Sequence, residues 1–154
     1  MTAPETLPRP STDPFQAASA EAAHAPVAQH VAAVVREKPW GHELVYARGD
    51  NGYVGKLISV SAGRSLSLQL HRHKDETIHV LSGEVLLESG PSAHDLERTT
   101  MLAGDTVHLP PNAVHRITAV TDVRLAEVST AAPGWEHDVV RLSDDYGREG
   151  TSNI

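Results

Sequence analysis

From Lys38 onward the chain runs in short apolar or alternating stretches, each closed by Gly, Pro, Asn or Asp. Period-two alternation broken by frequent turn formers predicts many short β-strands. They are expected near Glu43 to Ala47, Tyr53 to Val60, Ser65 to His73, Thr77 to Leu81, Gly83 to Glu88, Thr106 to Leu109, Val114 to Ala119 and Arg124 to Ser129. No amphipathic helix separates them, so a parallel sheet with crossover helices is disfavoured and an antiparallel sandwich or barrel is expected. The polar stretch from Ser89 to Thr99 reads as a hairpin loop, and the end from His137 to Ile154 holds one strand at most.

A length of 154 residues with 40% hydrophobic content fills one core, so one folded domain is expected over residues 36–148. Residues 1–35 are rich in Ala, Pro, Ser, Thr and Gln and read as a loosely packed arm, because they bury too little to offset their ordering entropy. Asp13-Pro14 can start a short helix within that arm, and residues 149–154 form a tail.

The absence of cysteine excludes disulfides, thiolate nucleophiles and iron–sulfur clusters, and makes the cytoplasm the expected compartment. With no apolar run of spanning length and no secretory leader, no membrane role is expected. A net charge of −7 argues against nucleic acid as a partner, since that affinity comes from clustered cations. An anionic small molecule remains open if a few cations are placed locally in a pocket.

The chemistry is concentrated in QLHRHKDETIHVLSG and GDTVHLPPNAVH. On an extended strand Gln69, His71 and His73 project to one side, and Glu76 follows one short turn later. His115 arrives from a second strand. Two imidazoles, a carboxylate and a third imidazole form a ligand set for one divalent metal ion, Zn, Fe, Mn, Co or Ni. His24, His30, His42, His79, His94 and His137 have no paired ligand at strand spacing and read as surface or structural. Trp40 and Trp135 read as packing anchors.

GRSLSLQLHRHKDETIHVLSG, residues 63–83, resembles the first motif of the cupin superfamily, and GDTVHLPPNAVHRITA, residues 104–119, resembles the second. The resemblance implies an all-β, single-domain jelly-roll barrel with an N-terminal arm, holding a metal at His71, His73, Glu76 and His115. KPWGHE, YVGK, SLSLQLHRHKDE, HRI, the Glu127-Val128 pair and HDVVRLSDDYGR are similar to the C-terminal isomerase domain of type II mannose-6-phosphate isomerases. In many members that domain follows a guanylyltransferase domain. These 154 residues are too few to hold one, so a guanylyltransferase role is not expected of them. Asn112 stands where the second motif usually has Gly, Ala119 where it has Asn, Ile78 where tryptophan is common and His108 where tyrosine is common. Asn tolerates a left-handed backbone, so the turn can survive; the changes at Ile78 and His108 are expected to reshape the pocket.

The implied activity is metal-dependent aldose–ketose isomerisation of a sugar phosphate such as mannose 6-phosphate, a proton moving between C1 and C2. Gln69 can orient a ligand or bound oxygen, and Glu127, His108 and Lys56 are the candidate bases. Lys56, Arg64, Arg116 and Arg141 are the cations for a phosphate, although strict alternation turns Arg116 away from His115. Two other classes fit the ligand set: an Fe(II)-dependent cupin oxygenase, and a non-catalytic or secondary-metabolism sugar-binding cupin. An outward apolar set of Leu66, Leu68 and Leu70 leads to the expectation of a homodimer.

Overall fold

The computed structural model describes residues 27–50 and 52–151. The helix expected after Asp13-Pro14, and His24, lie outside the described residues. The strands are β1 (Val34–Lys38), β2 (Gly41–Arg48), β3 (Tyr53–Val60), β4 (Leu68–His71), β5 (Glu76–Ser82), β6 (Glu84–Ser92), β7 (Asp95–Leu102), β8 (Thr106–Leu109), β9 (Val114–Ala119), β10 (Val123–Thr130) and β11 (Val139–Ser143). A 3-10 turn at Trp135–His137 precedes β11. Among the described residues no helix is long and apolar enough to cross a membrane.

Every strand pairing is antiparallel. Six strands form one sheet in the order β1-β2-β3-β10-β5-β8, and five form the other in the order β11-β4-β9-β6-β7. This is the jelly roll expected of a cupin. Ile58, Val60, Ile78, Val80 and Leu125 on the inner face of the first sheet meet Val85, Leu87, Met101, Ile117 and Ala119 from the second, with Trp40 between the strands that it anchors. Each large side chain removed from water here contributes about 1.5–3 kcal/mol.

Two elements depart from the alternation pattern. Ser89 to Thr99 is not a loop: β6 continues to Ser92 and β7 pairs back onto it, with Glu88 opposite Arg98. Met101 is the one buried residue of β7, so the strand carries no apolar alternation. As an edge strand it owes its place to backbone pairing with β6. The hairpin demands glycine at Gly90, where a Cβ would collide with the Asp95 carbonyl oxygen. β1 likewise starts inside the segment read as an arm and zips onto β2 through Val35 opposite Leu44.

The apolar set Leu66, Leu68 and Leu70 is not an exposed patch. β4 begins only at Leu68, so the alternation counted from Ser65 does not hold. Leu68 is buried, Leu70 half-buried, and Leu66 packs against the core. Exposed apolar side chains lie instead on the outer face of the six-stranded sheet. Tyr46 covers Gly55, whose cross-strand partner is Val128, and Tyr53 stands beside them.

Candidate metal centre

Three strand ends bring the donors together. β4 ends at His71, β5 begins at Glu76, and β9 pairs with β4 by setting His115 opposite Gln69. Cross-strand partners share a face, so Gln69 and His115 both point inward. Asn112 closes the approach to β9 with φ 68° and donates its backbone N–H to the His71 carbonyl at 2.7 Å. The left-handed turn therefore survives the exchange of glycine for asparagine, and it ties the two histidine strands together.

The Nε2 atoms of His71 and His115 lie 3.7 and 3.2 Å from Glu76 Oε1. One donor atom from each of the three buried residues falls within 4.8 Å of the others. Gln69 Nε2 sits 3.4 and 3.5 Å from the two imidazole Nε2 atoms. The donor set suits a cation. His115 Nδ1 donates to the Ala113 carbonyl at 3.0 Å, which orients its Nε2 toward the carboxylate. Glu76 Oε1 is buried without a hydrogen-bond partner. Burial, reinforced by the Lys74 ammonium, pushes His71 down to about 4, so its ring is neutral at pH 7. Burial alone would raise Glu76, but Lys74 beside it holds the carboxyl well below the usual carboxylate range. Two imidazoles and a carboxylate at this spacing fit a divalent ion, whose bonds of about 2.0–2.2 Å set neighbouring donors about 3–3.5 Å apart.

His73 does not join them. Its side chain is 73% exposed, and its Nδ1 lies 3.0 Å from Asp138 Oδ1. The alternation that carries Gln69 and His71 inward stops with β4, and the chain turns before β5 resumes in the opposite phase. Lys74, in phase with Glu76, takes the inward place. Its Nζ contacts Glu76 Oε2 and lies 3.2 Å from Glu127 Oε1, and these carboxylates raise its pKa despite burial.

The other candidates divide by cavity. Gln69, Lys56, Glu127 and Arg141 line the same cavity as His71, Glu76 and His115, together with Lys38, Glu43, Lys74, Trp135 and Arg148. Lys56 bridges Glu127 at 3.4 Å and Glu43 at 3.9 Å. Arg141 is buried; its Nη1 donates to Thr151, and among the described residues its Nε has no partner. His108 is outside, exposed on the outer face of β8 and bound to Asp75 at 2.8 Å. Arg64 is exposed in the turn before β4 and does not line the cavity. Arg116 obeys strict alternation: it points away from His115 and pairs with Glu88 at 2.6 Å on the outer face.

The sequence profile of the family described as "Mannose-6-phosphate isomerase C-terminal" matches residues 24–144. The chain belongs to this family. Within the mannose-6-phosphate isomerase C-terminal family it is 30% identical over 113 residues to the mannose-1-phosphate guanylyltransferase RfbM of Salmonella typhimurium, covering 71% of this chain and 22% of that protein. It is 31% identical over 114 residues to the alginate biosynthesis protein AlgA of Pseudomonas aeruginosa, covering 72% of this chain and 22% of that one. The chain thus spans less than a quarter of the length of these relatives.

Solved structures agree on the cupin fold. The capsular polysaccharide assembling protein CapF from Staphylococcus aureus superposes with a TM-score of 0.60 at 15% identity, over 75% of this chain and 35% of that chain. Bacillus subtilis oxalate decarboxylase gives 0.60 at 18% identity, over 71% and 30%. The cavity also carries a chain of paired charges. Lys38, Glu43, Lys56, Glu127, Lys74 and Glu76 alternate in sign, with successive contacts no longer than 3.9 Å. Spacing rules missed Lys38, Glu43 and Lys74, and left open whether Arg148 reaches the cavity, which it lines. For Lys74 the available signal was its shared phase with Glu76, Ile78 and Val80.

Proposed function

We propose that this domain is a metal-dependent sugar-phosphate isomerase that interconverts an aldose phosphate such as mannose 6-phosphate with its ketose. The observation that carries the reading is one cavity holding a two-histidine, one-carboxylate cluster beside the cations Lys38, Lys56, Lys74, Arg141 and Arg148. His71, Glu76 and His115 would hold the ion, and Gln69 would orient it or a bound oxygen. When bound, a divalent ion supplies Lewis-acid polarisation of the sugar carbonyl. Mn(II) is a reasonable first choice, because oxalate decarboxylase of the same fold has Mn(II) centres.

The Lys56–Glu127 pair is assigned the proton transfer. Burial opposes the charge on Glu127, but Lys56 and Lys74 lower its pKa, so it is a carboxylate at neutral pH and can accept a proton. The enclosed part of the cavity is about 50 Å³, room for an ion and a few waters. The sugar phosphate therefore lies across the mouth, with its anion on Arg141, whose guanidinium lines the cavity. We further place the protein in the cytoplasm, and as a homodimer through the face carrying Tyr46, Tyr53 and Val128.

A coupled assay for fructose 6-phosphate, run on protein loaded with Mn(II), Co(II) or Zn(II) and supplied with mannose 6-phosphate, tests the activity. No turnover with any of the three ions removes it. A second reading, an Fe(II)-dependent oxygenase, is favoured by the same two-histidine, one-carboxylate set. Oxygen uptake that requires ferrous iron and an organic substrate would select it.

A further inference from the structure

The turn between His71 and Glu76 is shaped by a residue more than sixty positions away. The Asp138 carboxylate accepts the backbone N–H groups of Arg72 at 3.2 Å, His73 at 3.0 Å and Lys74 at 2.8 Å, and the His73 Nδ1–H at 3.0 Å. Its side chain is 8% exposed. Successive backbone N–H groups converging on one anion form a nest. Burial disfavours the Asp138 charge, and those hydrogen bonds more than compensate, so its pKa is lowered. The neighbouring residue, Val139, pairs with His71 in the β11–β4 ladder, which fixes the carboxylate directly beside the ligand strand. At the far end of the turn Thr130 receives the Asp75 N–H on its Oγ1 at 3.1 Å and returns its own N–H to the Asp75 carbonyl at 2.9 Å.

We propose that Asp138 is the positioning residue of the metal centre, and that His73 serves Asp138 rather than the ion. By gathering three consecutive amides, Asp138 ends β4 immediately after His71, turns His73 outward and Lys74 inward, and sets the phase in which β5 presents Glu76. The ion then has His71, Glu76 and His115 as its imidazole and carboxylate ligands. This inference rests on reading the cluster as a metal site.

The test uses the full chain, stripped of metal and titrated with Co(II) and with Mn(II). Dissociation constants, the Co(II) d–d absorption spectrum and the melting temperature are recorded for wild type, His73→Ala, Asp138→Asn and Asp138→Ala. His73→Ala is expected to keep the wild-type spectrum and an affinity within about twofold. Asp138→Ala is expected to bind about tenfold or more weakly with an altered spectrum, the range seen when groups that orient ligands are removed. Where Asp138→Ala gives no cooperative melt, Asp138→Asn takes its place, because it keeps volume and one acceptor oxygen. It should weaken binding and speed hydrogen exchange at Arg72, His73 and Lys74. Wild-type affinity in a folded Asp138 variant overturns the inference, and so does a His73→Ala protein that loses tenfold or changes its Co(II) spectrum. Wild-type protein that binds neither ion overturns the metal reading and this inference with it, an outcome distinct from the other two.

Discussion

Removing the charge of Glu127 should destabilise the domain by about 3–5 kcal/mol, the range for breaking a buried ion pair from one side. Glu127 is 4% exposed and lies 3.4 Å from Lys56 and 3.2 Å from Lys74, both buried. At an effective dielectric of about 20 each contact supplies about 5 kcal/mol of attraction. Glu127→Gln keeps the shape and loses both. The loss is partial, since Lys56 retains Glu43 at 3.9 Å and Lys74 retains Glu76. Lys56→Met alone should do less damage, because Glu127 keeps Lys74 and the Ser129 hydroxyl at 3.0 Å, while Glu43 keeps Lys38 at 3.8 Å. In the double variant Lys56, one of the two ammoniums that Glu127→Gln deprives of a carboxylate, is gone. The cycle should therefore show about 2 kcal/mol or more of favourable coupling. Urea unfolding of metal-free protein, followed by far-UV circular dichroism, measures all four corners. A Glu127→Gln loss below about 1 kcal/mol, or single losses that simply add, would refute the idea of a coupled buried charge chain.

Other consequences follow from the same geometry. In metal-free protein His71 is pushed down to about 4 from an unfolded value of 6.5. The unfolded chain therefore binds the extra proton first, and stability should fall as pH drops from about 6.5 towards 4, by up to about 3 kcal/mol; His71→Gln should flatten that slope in acid titrations read by fluorescence. Mn(II) or Co(II) at about a hundred times its dissociation constant should add about 2.7 kcal/mol and raise the melting temperature by several degrees, reversed by a chelator. Arg141→Ala should raise KM for mannose 6-phosphate about tenfold or more, whereas Arg116→Ala, on the outer face with Glu88, should change it less than about twofold. Equal effects on steady-state KM would count against the assignment of the anion to Arg141. Light scattering after size exclusion should give a dimer mass for wild type and a monomer for Val128→Glu, since Val128 is 53% exposed on the face proposed for pairing.

Strand alternation is a local rule, and it served where one face of a strand meets the core. β3, β5, β9 and β10 were legible because their apolar residues recur at every second position. It was silent for β7, whose two faces are both largely wet, and for β1, which lies at a sheet edge. His71, Glu76 and His115 were readable because each sits inside a strand or at its first or last residue. His73 was not, because its orientation depends on Asp138, a partner distant in sequence.

The buried charge chain, by contrast, left a signal that alternation could have revealed. Glu43 shares its phase with buried Val45, Lys56 with Val54 and Ile58, Glu127 with Leu125, and Glu76 with Ile78 and Val80. A lone charge in that position is too expensive to bury. Four strands that each place a charge on the apolar phase therefore imply that the charges meet, with signs that alternate. That reasoning locates the cavity without reference to histidine, and it selects the same strands. A site that carries three buried carboxylates must also recruit cations of its own. Lys38, Lys56 and Lys74 meet that requirement, so on the proposed function a divalent ion together with Arg141 would leave the cavity in positive excess. Arg148 is neutralised by Asp144 at 2.6 Å, but among the described residues Arg141 faces no carboxylate within ion-pair distance. On that same proposal an anionic substrate group would complement the excess, and a neutral sugar would leave it unmet.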